Sequence, residues 1–237
     1  MLPPNDPAHS ASEPHAHHAA TVRLSLSEIN ALCFKAARGC GLSWGEAEEA
    51  GWAAAWLTRA GLSGPSLVLN WLRDCATLAR PVPEQGRWRA PTGPLCPLRA
   101  GLALADHAGL PEGPGEDGLS IETVAHPLVL LPFVARSATR LDLPLRIRWG
   151  GADVTLDRDG TGPITLPPGQ EHEAPADLRI ATLDRPDTDA IPTVYSVPIQ
   201  GIALTDWQAL DALALRVTVP PSAASRAGAG AAGDDND

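Results

Sequence analysis

The chain has 237 residues, 44% hydrophobic and 19% charged, with a formal net charge of -10. That size sets one large domain or two small ones with enough apolar side chains for a core, and no run of 18 apolar residues marks a membrane span. The charge is uneven, +1 over residues 1–100 and -11 over 101–237, and an acidic C-terminal half repels phosphate backbones, which argues against a nucleic-acid partner.

Residues 1–20, rich in Pro, Ala, His and Ser, carry no apolar period and are expected to form a disordered tail. They show neither the basic nor the apolar region of a signal peptide. With four cysteines and no C-x-x-C pair, free thiols in a cytoplasmic protein are expected. His15, His17 and His18 lack the supporting partners of a metal centre, and no metal site is predicted there.

The first helix is predicted from Ser25, where Ser25 and Glu28 make a capping box. Ile29, Leu32, Cys33 and Ala36 follow as one apolar stripe, and Gly39 is expected as the C-cap. Ser43 and Glu46 make a second capping box, opening a helix that Gly61 ends. Its Ala47, Gly51 and Ala54 form a seam of small residues that lets another helix approach closely. Glu48, Trp52, Ala55 and Arg59 share another face, with Glu49 beside Trp56. A third helix follows Pro65 and ends before Pro81. Residues 21–80 therefore read as a helical unit of about three antiparallel neighbours.

Residues 81–97 read as an irregular linker, and the texture then changes. Segments 98–108, 119–125, 126–136, 143–149, 152–156, 177–183 and 193–199 are short, apolar or alternating, and separated by Gly, Pro and Asp. Without helices between them, they predict a mostly antiparallel sheet over 98–220. One late helix is predicted near 205–216, capped by Thr205 and Gln208. The expected fold class is thus α+β. Residues 221–237, a Gly/Ala run closing in Asp, read either as solvated linker or as a segment that lies close to another surface.

The stretch from Leu24 to Gly51 resembles the N-terminal signature of a bacterial family known only as domain of unknown function 3726. The residues that carry the likeness are Leu26 and Glu28, the run Lys35 to Gly39, and Trp44, Gly45 and Ala47 to Gly51. Arg226, the Gly/Ala run from Gly228, and the closing Asp235, Asn236 and Asp237 resemble the family's other end. Cys40, Glu46 and the irregular glycine run depart from the pattern. The likeness implies a shared fold from 22 to 237 and supplies no reaction.

Candidate chemistry centres on Glu48 and Glu49, flanked by tryptophans that would keep a carboxylate partly from solvent, with Lys35 and Arg38 across the turn as anion contacts. Helix-end electrostatics explains the same charges without a site. Trp44, Arg226, Asp235 and Asn236 complete the candidate ligand-binding set. His107 and His126 fall at the ends of predicted strands, and Glu171, His172 and Glu173 need a further ligand to hold a metal. Cys40, near a helix start, is the thiol most open to a lowered pKa. No dinucleotide, P-loop, zinc-protease or nucleophile-elbow motif is present, and no cofactor is expected.

Two functions fit. The first is a binding protein for a small anionic metabolite, held in a cleft between the helical and β units. The alternative is an enzyme with Glu48 or Glu49 as acid/base and Arg38 as anion clamp, or an accessory subunit that docks a protein partner through its Trp-rich helices, since five of the seven tryptophans lie between Trp44 and Trp88.

Overall fold

The computed structural model describes residues 20–115, 117–164, 166–167, 174–183 and 201–217. Both predicted capping boxes form. Ser25 opens α1 (Leu26–Gly39) and Ser43 opens α2 (Trp44–Arg59), each with the Glu three residues on reaching back to the cap. The helix α3 (Gly64–Asp74) carries Pro65 in its first turn and runs into a 3-10 turn at Cys75–Thr77. The small-residue seam of α2 is buried and faces α1: a Cβ on Gly51 would lie 2.6 Å from the Asn30 carbonyl oxygen.

Gly39 serves a different end from the one expected. The α1 helix includes it, Cys40 is the cap, and Gly41, at φ 88°, takes the left-handed conformation that closes the turn. Gly39 is instead a point of close approach, where a Cβ would lie 1.9 Å from the Leu213 carbonyl oxygen of the late helix α6 (Leu204–Ala214). That helix starts one residue earlier than predicted. Ala203 is its N-cap, with no side-chain capping bond, so the Thr205–Gln208 box does not form.

Two segments expected as strands are helices. Residues 98–107 lie in α4 (Pro97–His107) with Ala108 as its C-cap, and 127–136 become a 3-10 turn at Pro127–Leu130 followed by the start of α5 (Leu131–Leu141). Short apolar runs fit a buried strand and a buried helix equally by periodicity. The prolines at the first helical turns of α4 and α5 tip the balance, since they are pre-set for a helix start. The two helices pack with Gly101 against the Phe133 ring.

The strands expected near 119–125, 143–149, 152–156 and 177–183 form, and one more joins them from the stretch read as a linker. The order is β2 (Arg87–Trp88), β3 (Leu119–Val124), β6 (Ala176–Thr182), β4 (Leu145–Trp149) and β5 (Ala152–Leu156). All neighbours are antiparallel except β2–β3, so the sheet is mostly antiparallel and the class is α+β. Gly150 and Gly151, both with positive φ, supply the two-residue turn of the β4–β5 hairpin. The stretch read as a linker contributes β2 and the fully buried Trp88, whose Nε1–H donates to the Glu112 carbonyl. The predicted strand at 193–199 lies outside the described residues.

A separate two-stranded ribbon pairs β1 (Thr21–Val22) with β7 (Ile202–Ala203) and brings the start of α1 beside the start of α6. Buried side chains from helices and sheet form one contiguous core, with Trp71, Trp88 and Phe133 among its largest members. No described helix is long and apolar enough to cross a membrane.

Candidate functional site

The helical unit meets the β1–β7 ribbon at a cavity of about 640 Å3. Its apolar wall comes from Leu24, Leu26, Ile29, Leu62, Pro65 and Ile202, and hydroxyls of Thr21, Ser27, Thr58 and Ser63 interrupt it. Three helices begin on its rim: Ser25, Ser63 and Ala203 are the N-caps of α1, α3 and α6, and all three line the cavity. Helix starts carry partial positive charge. The Ser63 hydroxyl makes no capping bond to α3, which leaves it for another partner.

Arg59, in the last turn of α2, is the only charged residue among the described ones that line this cavity, and it is exposed. It makes no ion pair among the described residues. An adjoining hollow of about 310 Å3, walled by Asn30, Trp52, Ala55 and Trp56, shares Leu26, Ser27 and Arg59 with the first. The helical face on which Trp52, Ala55 and Arg59 were expected together is therefore the floor of this hollow.

Carboxylates already stand at two of the helix starts. The Ser25 backbone N–H and hydroxyl donate to Glu28 and hold its carboxyl below the usual range. Asp206, in the first turn of α6, accepts from the Ser66 hydroxyl of α3.

The residues singled out from the sequence lie elsewhere. Glu48 is exposed, and its Oε1 accepts from the Trp44 indole N–H at 2.9 Å. Trp44 is 63% exposed and meets Phe34 edge-on at 5.2 Å, with the Arg38 guanidinium 5.6 Å from its ring. Arg38 also donates to the Leu42 carbonyl, which closes the turn between α1 and α2, and Lys35 is exposed. Glu49 is half-buried and paired with Arg136 of α5, Nη1 to Oε1 at 3.0 Å and Nη2 to Oε2 at 2.8 Å. That guanidinium stacks 3.8 Å over Trp52. Neither Glu48 nor Glu49 lines a cavity described here. Arg226, Asp235 and Asn236 lie outside the described residues, as do His15, His17, His18 and His172.

Glu46, expected only as a cap, is the busier carboxylate. Its Oε1 takes Arg99 Nε at 2.9 Å and Arg80 Nη2 at 3.3 Å while the side chain also serves the Ser43 cap. Burial pushes its pKa up, but hydrogen bonds from Arg99 and Ser43 outweigh burial and leave it lowered. A folded-state pKa below the unfolded value adds stability above about pH 4.5, which is lost as pH falls through the folded value. Acid titration of thermal stability is expected to show a steeper loss below pH 4.5 in the native protein than in Glu46→Gln, and equal slopes would remove Glu46 from the acid limb.

The cysteines are not activated. Burial pushes Cys33 up to about 12 and Cys75 up to about 11. Cys40 also lies above its ordinary value through burial, with Arg216 opposing, so the expected lowering is corrected: Cys40 is the C-cap of α1 and half-buried, and burial disfavours its thiolate. His107 ends a helix rather than a strand, its Nδ1–H donating to Ala103, and His126 Nε2 lies 3.2 Å from Asp74. Among the described residues no cluster of His, Cys, Asp or Glu could hold a metal.

No curated protein matches the chain. Residues 24–106 match the model of the family described as "Protein of unknown function (DUF3726)", in agreement with the resemblance carried by the Lys35–Gly39 and Trp44–Gly51 motifs.

Proposed function

We propose that the protein binds a small anionic molecule in the cavity where α1, α3 and α6 begin. The observation that carries the reading is Arg59, an arginine without an ion-pair partner among the described residues, set on the rim of a cavity of about 640 Å3. Ligand sites are concave, mostly apolar, and oriented by few polar groups, and this cavity has that make-up. The start of α3 and the Ser63 hydroxyl add donors around the same space. The reading rests on the cavity and not on Glu48 and Glu49, which supports a binding role over acid/base catalysis by that pair.

Thermal-shift screening against small carboxylates and phosphates tests it. At least one anion is expected to raise the melting temperature, and Arg59→Gln is expected to weaken its binding at least tenfold while leaving the unliganded protein's stability within about 0.5 kcal/mol. No stabilising anion in the panel, or an Arg59→Gln variant that binds normally, would overturn the reading.

Trp44 favours a second role. An indole 63% exposed beside Phe34 offers an aromatic anchor of the kind protein interfaces use. Light scattering of mixtures with the products of neighbouring genes tests it: a larger species that Trp44→Ala abolishes would support docking.

A further inference from the structure

The charges around the cavity narrow the ligand class, an inference that rests on the anion-binding reading above. Arg59 is the only cation among the described lining residues. Against it, Glu28 stands in the first turn of α1 and Asp206 in the first turn of α6, each already hydrogen-bonded to a serine of the cavity wall, Ser25 and Ser66. Two of the helix starts are thereby supplied with negative charge of their own. Coulomb repulsion from these carboxylates opposes a second negative charge on a ligand, and among the described lining residues no second cation offsets it.

The rest of the wall is hydrocarbon. Leu24 before α1, Leu26 and Ile29 on α1, Leu62 in the α2–α3 turn and Ile202 on β7 line the space. A fully hydrated, compact anion such as phosphate would leave that wall uncovered, whereas an apolar body would cover it.

We propose that the ligand is an amphipathic monoanion: a monocarboxylic acid whose carboxylate meets Arg59 and whose hydrocarbon body lies on the leucine and isoleucine wall. Arg is suited to the carboxylate because its planar fork matches two oxygens at once. Each methylene that enters the wall adds up to about fourfold in affinity.

Isothermal titration of the full chain with butanoate, hexanoate, octanoate and decanoate is the test, beside octanedioate, hexyl phosphate and 1-octanol. Trp52 and Trp56 in the adjoining hollow give a fluorescence readout of the same titrations. Affinity is expected to rise about threefold per methylene until the cavity is filled, to fall at least tenfold from octanoate to octanedioate, and to be lower for hexyl phosphate than for hexanoate. Arg59→Gln is expected to weaken octanoate at least tenfold and leave 1-octanol within twofold. The alcohol-to-acid comparison in the native protein carries the same information should the variant fold poorly: octanoate must bind at least tenfold tighter than 1-octanol. If octanedioate or hexyl phosphate binds tighter than the monocarboxylates, or affinity is flat with chain length, the cavity remains an anion site and the monoanion inference falls. If none of the acids binds, both fall together.

Discussion

Alanine in place of Gly39 is expected to lower the unfolding free energy by about 3 kcal/mol, at the upper end of what overpacking costs. The added methyl would lie 1.9 Å from the Leu213 carbonyl oxygen and 2.7 Å from its carbon, so the obstacle is backbone and not the end of a flexible side chain. Alanine's higher helix propensity returns about 1 kcal/mol at most, which is too little to offset the clash. The strain has one outlet, displacement of α6 from α1. Hydrogen exchange is therefore expected to show lost protection in α6 and preserved protection in the β4–β5 hairpin. Gly41→Ala is the control. Gly41 has positive φ and open space around its would-be Cβ, so that substitution costs about 1–2 kcal/mol through backbone strain and leaves α6 docked. Equal stability losses with identical exchange patterns would show that Gly39 has no special contact.

Neutralising Glu49 is the second large effect. Glu49→Gln removes the anion that faces Arg136, leaving a guanidinium 3.8 Å over Trp52 with no carboxylate to meet. Breaking a fully buried pair costs about 3–5 kcal/mol, and this one is roughly a third exposed, so a loss of about 2 kcal/mol is expected. Glu48→Gln, one residue away on an exposed face, is expected to change stability by less than about 0.5 kcal/mol. Urea unfolding of the two variants and of Arg136→Met distinguishes them. Similar losses for Glu48→Gln and Glu49→Gln would mean that the contact with α5 contributes nothing.

How far the sequence reached follows from the range of the interactions. Ser25–Glu28 and Ser43–Glu46 were legible because a capping box is complete within four residues. The Ala47–Gly51–Ala54 seam was legible because small residues at helical spacing have one common use, close helix approach. Strands β3 to β6 alternate in burial, as their residue patterns do. The α4 and α5 segments were misread because an apolar run of about ten residues has no clear period, and the information lay in Pro97 and Pro132. The site was least legible. Arg136 reaches Glu49 across 87 positions, and the cavity joins Ser25, Arg59, Ser63 and Ile202, which no local pattern links. The tryptophan-flanked glutamates drew notice because they are neighbours in sequence, and the fold then separates them into an exposed carboxylate and an ion-paired one.

Pairing of Thr21 with Ala203 sets when, and not only where, the cavity comes into being. One of its walls is made before the first thirty residues are complete, and the facing wall is made some 180 residues later. During synthesis the helices α1 to α3 can assemble early from local contacts, but the cavity beside them stays open until β7 has emerged and found β1. Closure across so long a stretch of chain is entropically slow. Completion of the cavity is thus a late event in maturation, and a chain cut short before residue 202 would hold the Arg59 side of the cavity and lack the opposing one.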